Sequence, residues 1–366
     1  MKIVIATPLY PPEPGGPATY VKILEDGLQA HGIDVVVVKF SDVRHKAKLF
    51  RHHAFYKNVL AAAQDADLVL ALDPVSVGLP SMQAAKRAKK PFVVKVVGDY
   101  AWEQGTQRFG VTQTLDEFVR TKKVPFAVQF LRFVQEDVVR QAKLVIVPSQ
   151  YLFGVLRAWG VPDTKISVIY NAVSVEGAGT VPATSVKLAS PRIVSAGRLV
   201  PWKGMRGLID AVALVRKKIS SASLTIVGDG PERQALQAHA EKTLETGFVC
   251  TGELSHPDTL ATIKSADVIV LNSSYEGLAH LLIESVMLGI PAVATNAGGN
   301  REVIKDGVNG FLVPVGDSVA LADAIGKVCA DPGLRAKLSA GASSSSGEFS
   351  LERMLRSTAE TLKKMV

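Results

Sequence analysis

The hydrophobic positions of the chain fall into short continuous runs that alternate with amphipathic stretches. Uninterrupted apolar runs of about four to six residues are typical of parallel strands covered on both faces. In the first half these runs lie at residues 3–6, 35–39, 68–72, 92–97, 144–147 and 166–169. Helical segments lie between them, near residues 18–31, 54–65, 77–90, 125–141 and 150–159. The pattern predicts a doubly wound α/β domain.

A second series of the same kind follows a change in composition. Residues 174–190 are small and polar, which is typical of an interdomain linker. New apolar runs then lie at 193–196, 224–227, 248–250, 268–271, 292–294 and 311–313. The sequence therefore predicts two Rossmann-like domains, at residues 1–173 and 191–345. The serine-rich stretch Gly341 to Gly347 predicts a short flexible break, and residues 346–366 predict a last helix that could return to the first domain.

Composition narrows the class of protein. The chain has 366 residues, 47% of them apolar and 21% charged, which excludes a disordered or fibrous protein. Its 42 Lys and Arg against 34 Asp and Glu leave a net charge of +8, of which +7 lies in residues 1–175. Such an excess favours anionic partners: phosphates, nucleic acid or an acidic membrane surface. Two cysteines, Cys250 and Cys329, are too few for a disulfide framework and favour the cytoplasm.

The basic charge is concentrated in two segments. Residues 39–57 hold six Lys or Arg and three His against one Asp, and Lys122 and Lys123 precede an amphipathic stretch. A solvated basic face is the ordinary explanation. The sharper hypothesis is peripheral contact with an anionic membrane or an acidic acceptor glycan. No apolar stretch reaches the roughly 18 uncharged residues of a spanning helix.

The strongest chemical signal is a glutamate in an apolar helix. Glu284 is the only acid among the leucines, valines and isoleucines that follow residue 280. A glutamate is almost never buried alone, so this one needs a hydrogen-bonding partner that the local sequence does not supply. A hydroxyl pair of a ligand would serve, and so would backbone amides of a neighbouring loop. Glu276 comes just before this helix, whose free N–H groups favour an anion.

A second site joins two cations to a helix start. Arg198 follows a predicted strand, and Lys203 precedes a helix that begins near Gly204. Cations at a helix N-terminus oppose its dipole, so an anion such as phosphate is expected between them. A solvated basic pair on a loop is the alternative. Weaker signals are the glycines at strand exits, Gly15 with Gly16 and Gly228, which let a backbone approach a ligand closely.

Taken together, these residues resemble the retaining glycosyltransferases of family 4, which have the bilobal GT-B fold. The resemblance rests on the double glycine after strand one, on VIYNAV, AGRLVPWKG and IPAVATNAGGNREVIKDGVNGFLV, and on the Glu276/Glu284 pair. It covers almost the whole chain. It implies a cleft between two domains and a nucleoside-diphosphate sugar donor bound mainly by the second domain.

The resemblance also implies roles for particular residues. Arg198 and Lys203 would hold the diphosphate, Glu276 the hydroxyls of the donor sugar, and Glu284 those of the ribose. The backbone amides of Gly277, Leu278, Ala279 and His280 would complete the cradle, and Gly16 would face the diphosphate from the first domain. No catalytic metal or other cofactor is predicted.

The chain departs from the family pattern where many members have a histidine after the fourth strand. Gly98 and Asp99 stand there instead. Asp99 would bind a donor or acceptor hydroxyl or act as a base, unless it only caps the segment that follows it. Two rival functions share parts of the pattern. A sugar-nucleotide epimerase would use the same phosphate site without an acceptor. A nucleic-acid-binding protein is disfavoured because no aromatic stacking platform or recognition motif is present.

Overall fold

The computed structural model describes residues 1–13, 15–121, 123–177 and 188–366. The chain divides into two compact units, Met1–Asn171 with Leu351–Val366, and Ala172–Ser350. Most of the predicted linker, residues 178–187, lies outside the described residues, as does Lys122. None of the described helices is long and apolar enough to cross a membrane.

The first unit is built on a parallel six-stranded sheet. The strands are β1 Lys2–Thr7, β2 Asp34–Lys39, β3 Leu68–Ala71, β4 Phe92–Lys95, β5 Leu144–Val147 and β6 Ile166–Val168. Their order in the sheet is β2-β1-β3-β4-β5-β6. The helices are α1 Gly16–Gly27, α2 Ser41–Arg44, α3 Lys48–Ala63, α4 Gly78–Ala88, α5 Tyr100–Arg108, α6 Leu115–Arg120, α7 Phe126–Gln141 and α8 Gln150–Ala158, with α16 Leu351–Lys363 at the end of the chain.

The second unit repeats this plan. Its strands are β7 Arg192–Ala196, β8 Ser223–Val227, β9 Phe248–Gly252, β10 Val268–Leu271, β11 Ala292–Thr295 and β12 Gly310–Val313, in the parallel order β12-β11-β10-β7-β8-β9. Its helices are α9 Met205–Arg216, α10 Arg233–Leu244, α11 His256–Lys264, α12 His280–Met287, α13 Asn300–Val303, α14 Ser318–Ala330 and α15 Pro332–Ser345. The central strands β10 and β11 are buried along their whole length, as two-sided covering requires.

The predicted fold class is confirmed, since each unit is a doubly wound parallel sheet. All twelve predicted strands are present, with ends that differ by up to two residues. Three helices of the first unit were not predicted: α2, α5 and α6. Helix α6 is short, and its start is fixed by a capping box in which Thr114 accepts from the backbone of Glu117 and Glu117 reaches back to Thr114. Local capping, not apolar periodicity, marks this helix.

The prediction of a flexible break at Gly341 to Gly347 is wrong. Helix α15 continues to Ser345, and a short 3-10 helix follows over Ser346–Phe349. The serine hydroxyls donate back to carbonyls of the preceding turn; Ser343, for example, donates to the carbonyl of Ser339 over 3.1 Å. A helix surrounded by tertiary contacts overrides the weak propensity of serine. Gly341 itself lies against the backbone of Val308, where a Cβ atom would meet the carbonyl oxygen at 2.0 Å.

Helix α16 returns to the first unit and packs there against the end of α1. It buries Met354, Ala359 and Leu362, and Leu355 lies over Gly27. The side chain of Lys143 also donates to the carbonyl of Met365 over 2.6 Å. The first unit is therefore completed by a segment that lies far away in the sequence.

Candidate functional site

The candidate site of the second unit lies at the carboxyl ends of its central strands. The chain moves outward from β7 to β8 and β9 on one side, and β10 lies on the other side of β7. Ligands of open α/β sheets bind at such a switch point, where the loops after two neighbouring strands diverge. Here the two loops are residues 197–204, after β7, and residues 272–279, after β10. All the second-unit residues predicted from the sequence for the donor site, except Gly228 and Glu284, lie in these loops or at the start of α12.

An ion pair joins the two loops. The Nζ atom of Lys203 lies 2.6 Å from Oε1 of Glu276, and both side chains are largely buried. The hydroxyl of Ser273 donates to the same carboxylate oxygen over 2.6 Å. Lys203 thus has an anion supplied by the chain itself. The sequence argument that its position calls for an external anion therefore does not hold for Lys203 in this structure.

Hydrogen bonds to main-chain carbonyls hold the two loops in register. The side chain of Asn272 donates to the carbonyl of Gly204 over 2.8 Å, and the N–H of Ser274 donates to the carbonyl of Trp202 over 2.7 Å. Lys203 lies in a 3-10 turn, Pro201–Lys203, and Gly204 caps α9 with left-handed backbone angles. These bonds fix the backbones from which the side chains of Lys203 and Glu276 extend toward each other.

Arg198 differs from Lys203 in its surroundings. Its side chain is exposed on the same loop, and in the described part of the chain it makes no hydrogen bond or ion pair. It is two residues beyond the end of β7, next to Gly197. An exposed guanidinium beside a largely buried lysine at a switch point is suited to a phosphate group, which it can bind through two parallel hydrogen bonds.

Two further loops complete the rim. Gly228, after β8, has a φ of +132°, and a Cβ atom there would lie 2.0 Å from the carbonyl oxygen of Gly197. Gly298, after β11, has a φ of +52°, and its Cβ would lie 2.0 Å from the carbonyl oxygen of Glu276. The N–H of Gly299 donates to that same carbonyl over 3.0 Å. Glycine is required at both positions, because any side chain would push apart the loops that carry Arg198 and Glu276.

The start of α12 adds backbone donors to the site. Gly277, Leu278 and Ala279 are buried and lead into the helix at His280, which is partly exposed. No acidic residue lies in the first turn of α12 and no side chain caps it. The first N–H groups of a helix lack intrahelical partners and lie at the positive end of its dipole, so this turn favours an anionic ligand.

Glu284 lies one turn further along α12. It is 8% exposed, and within the described residues its carboxylate accepts no hydrogen bond. The nearest basic group is the imidazole of His256, whose Nδ1 atom is 3.9 Å from Oε1 of Glu284. Burial raises the pKa of Glu284 to about 7. A carboxyl group in this state retains unused acceptor capacity, which hydroxyl groups of a ligand would use.

The raised pKa of Glu284 predicts how stability changes with pH. The folded protein holds this proton up to about pH 7, whereas the ordinary pKa is 4.5. The stabilisation from the protonated form is complete below pH 4.5 and is lost as the pH rises through about 7. Glu284→Gln mimics the protonated acid, so its stabilising effect should grow from near zero at pH 4 to as much as about 3 kcal/mol at pH 8.

Thermal unfolding of wild type and Glu284→Gln at a series of pH values measures this difference. The exposed Glu253 of the same unit provides a matched control, because Glu253→Gln should leave the difference flat across the series. A Glu284→Gln midpoint that stays parallel to that of the wild type from pH 4 to pH 8 would show that Glu284 ionises normally.

The first unit holds the remaining predicted residues. Gly15 is the N-cap residue of α1, and Gly16 is its first residue. Asp99 is 1% exposed and caps α5: its Oδ1 atom accepts from the N–H of Trp102 and from the side chain of Gln135, both over 2.9 Å. Burial raises the pKa of Asp99. This geometry favours the capping interpretation of Asp99 over its use as a base, because the carboxyl group is buried in the core beside the helix start that it caps.

The sequence reasoning missed several residues that build the site. Ser273 and Asn272 have no distinctive pattern, since serine and asparagine are common in any loop. Gly298 and Gly299 did carry a signal: a double glycine in the loop after a strand, like Gly15 with Gly16. No group of three or more His, Cys, Asp or Glu side chains among the described residues is placed to hold a metal ion.

Two family models match the chain side by side. The model for glycosyl transferases group 1 matches residues 182–344, and the model for glycosyltransferase family 4 matches residues 14–176. Together they span most of both units.

The chain is also similar to curated proteins and to solved structures. The lipopolysaccharide core biosynthesis glycosyltransferase LpsE of Rhizobium meliloti is 35% identical over 164 residues, 44% of this chain and 47% of LpsE. A GDP-mannose-dependent alpha-(1-6)-phosphatidylinositol monomannoside mannosyltransferase of Mycobacterium tuberculosis is 32% identical over 149 residues, 38% of this chain and 39% of that enzyme. The chain thus aligns with less than half the length of these curated relatives. The crystal structure of Anabaena HepE in complex with UDP superposes over 100% of both chains, with a TM-score of 0.76 at 23% identity.

Proposed function

Because the chain belongs to the group 1 glycosyltransferases of the GT-B fold, we propose that it moves a sugar from a nucleoside diphosphate sugar to a glycan or lipid-linked acceptor. The observation that carries the proposal is the Lys203–Glu276 pair at the switch point of the second unit, with Arg198 exposed beside it. The mode of transfer in the proposal is retention of the anomeric configuration.

The proposed chemistry is departure of a nucleoside diphosphate. Negative charge develops on the diphosphate as the bond to the sugar breaks. Arg198, Lys203 and the first N–H groups of α12 are the donors that would stabilise it. Fixed donors of this kind need no reorganisation during the reaction, which commonly makes them the largest contribution to catalysis. Lys203 is suited to this role because Glu276 holds its ammonium group in place.

Glu276 and Glu284 have separate roles in the proposal. The second oxygen of Glu276 is left for the hydroxyls of the donor sugar, since Lys203 and Ser273 both engage Oε1. Glu284 would bind the ribose hydroxyls with its unused acceptors. The role predicted for Gly16, at the start of α1, stays a prediction. We assign no role as a base to Asp99, because its carboxyl group is buried in the core, where it caps α5.

A thermal-shift screen tests the donor site. We expect one or more of the UDP-, GDP- and ADP-sugars to raise the unfolding temperature, and we expect Arg198→Ala to remove that shift. The loss follows from the loss of a charge-assisted, bidentate phosphate contact. Arg87→Ala removes an exposed arginine of the first unit and should leave the shift unchanged. A shift that persists in Arg198→Ala would refute the assignment of this residue to the diphosphate.

Product analysis separates transfer from the rival functions. A transferase needs an acceptor to consume the donor at a useful rate and yields a glycosidic bond. Epimerisation of the free sugar nucleotide without acceptor would contradict the proposal, and so would nucleic-acid binding that persists in moderate salt. The donor sugar and its nucleobase follow from the same screen.

The acceptor is the part of the proposal that concerns the first unit. The diphosphate site uses two cations of the second unit, so the net charge of +7 in residues 1–175 is not needed for the donor. We propose that this excess serves an anionic acceptor or the membrane surface that presents it, with the protein acting at the cytoplasmic face. Binding to vesicles that is insensitive to their anionic lipid content would contradict this part.

A further inference from the structure

Three phenylalanines form an exposed stripe along α7. Phe126, Phe130 and Phe133 are 86%, 58% and 64% exposed. Their spacing of four and then three residues places them on one face of the helix. A helix normally turns such a face toward the core, and α7 does bury Val128, Val134 and Val138 on its other side. The phenylalanine stripe is therefore a second apolar face that the described part of the chain leaves uncovered.

An apolar pocket opens beside this stripe. It has a volume of about 370 Å³ and lies between α3, the start of α4 and α7. Phe130, Leu131 and Val134 line it from α7, Leu79 and Pro80 from α4, and His53 from α3. Phe130 belongs to both features: it forms a wall of the pocket and is exposed in the stripe. The pocket and the stripe are consequently one continuous apolar surface.

Helix α3 extends this surface on the other side of the pocket. Phe50 is 67% exposed and lies one turn before His53, and the exposed Lys57 lies one turn after it. The four most exposed phenylalanines among the described residues are thus all on α3 and α7. Exposed apolar surface on this scale is unusual in a soluble unit and marks an interaction site.

The charge around this surface selects its partner. Residues 43–64, which contain α3, include five Lys or Arg and no acid. Residues 118–135, which contain most of α7, include four Lys or Arg and again no acid. The acids of α7, Glu136 and Asp137, follow that segment, toward the end of the helix. Exposed aromatic side chains within basic segments that lack acids match an anionic lipid surface, in which the rings enter the acyl region and the cations meet the headgroups. A protein partner would not require acids to be absent from both segments.

We infer that the α3–α7 surface docks on an anionic bilayer, with Phe126, Phe130 and Phe133 in the acyl region and a lipid chain in the pocket. The inference rests on the proposed function for the identity of the reaction, and it deepens that proposal by naming how the acceptor is reached. It assigns a place for hydrocarbon, whereas the net charge alone accounts only for adsorption.

Vesicle binding without any nucleotide or acceptor tests this surface, so its result does not depend on transfer activity. We expect binding to vesicles of phosphatidylcholine with phosphatidylglycerol, and at least a tenfold loss of binding when the three phenylalanines are replaced together (F126S/F130S/F133S). The matched control is V308S/V315S/V319S, which replaces three exposed valines of the second unit and should bind as the wild type does. Unchanged thermal unfolding of both variants shows that they fold.

A reporter variant distinguishes insertion from adsorption. In Phe130→Trp, we expect the tryptophan emission to shift to the blue on binding and to be quenched by lipids brominated on their acyl chains, beyond the quenching seen for the wild type. Equal binding of the triple serine variant, or a reporter that brominated chains do not quench, would overturn the inference. Self-association that the triple serine variant abolishes, without vesicle binding, would assign the surface to a second copy of the chain and also overturn it.

Discussion

Lys203→Met is expected to lower kcat for glycosyl transfer by about 10²- to 10³-fold, which is the usual effect of removing one fixed donor from developing negative charge. The ammonium group of Lys203 is held 2.6 Å from Glu276, in a loop whose main chain is bonded to residues 272–274. Methionine keeps the length of the side chain and removes the charge. Because the ammonium group acts on charge that appears in the transition state, kcat should fall more than the affinity for the donor sugar nucleotide.

Variants of Glu276 show whether the loss of kcat in Lys203→Met depends on the ion pair. Glu276→Gln removes the anion that positions Lys203, and the double variant removes both. If the two residues act as one unit, the loss in the double variant should be much smaller than the product of the two single losses. Multiplicative losses would show that Lys203 and Glu276 act independently.

Lys218→Met is the matched control for Lys203→Met. Lys218 is also a lysine of the second unit and forms an ion pair with Asp323 over 3.6 Å. In this pair, however, the side chains of both residues are exposed. Exposed pairs contribute about 0–1 kcal/mol to stability, so neither kcat nor the unfolding temperature should change measurably. A Lys203→Met enzyme within twofold of the wild type, under conditions where Lys218→Met is also unchanged, would remove Lys203 from the catalytic machinery.

Gly298→Ala is expected to destabilise the second unit by about 2–4 kcal/mol and to abolish donor binding. Its Cβ would lie 2.0 Å from the carbonyl oxygen of Glu276, and its φ of +52° is unfavourable for any side chain. The clash is with main chain, so it is relieved only by moving the loop that carries Glu276. Thermal unfolding and a donor titration measure the two effects.

Gly307→Ala separates the steric part from the conformational part. Gly307 also has a positive φ, +71°, but nothing lies within 4 Å of the position of its Cβ. Gly307→Ala should lower the free energy of unfolding only by the conformational strain, about 1–2 kcal/mol, and should leave donor binding intact. Equal losses in the two alanine variants would show that the contact between the loops after β10 and β11 does not hold the site together.

The local pattern was sufficient to predict the strands and most of the helices. Continuous apolar runs identify buried parallel strands because each strand is covered on both faces, and this requirement acts residue by residue. The start of α9 was predicted correctly from Gly204, and the position of Glu284 inside an apolar helix was also predicted. Helices α5 and α6 were not predicted, because capping by Asp99 and Thr114, not apolar periodicity, defines their starts.

The partners of buried charged residues could not be predicted from the sequence. Lys203 and Glu276 are 73 residues apart, and their contact depends on β7 and β10 being neighbours in the sheet. Lys95 is a comparable case: it ends an apolar strand, is 1% exposed and donates to the side chain of Asn171 over 2.7 Å. Burial lowers its pKa well below the ordinary value. Nothing near Lys95 in the sequence indicates that partner.

By itself, the sequence determined the alternation of strands and helices, the two doubly wound units, and the residue types available at the strand exits. These follow from short-range requirements. Strands covered on both faces must be apolar, and a loop position that lies close against another backbone must be occupied by glycine. Only the tertiary structure decided that Glu276 supplies the anion for Lys203, that the serine-rich segment is helical, and that the phenylalanines of α7 are exposed. Each of these depends on which distant groups come together, because charge pairing and burial are properties of the packed chain.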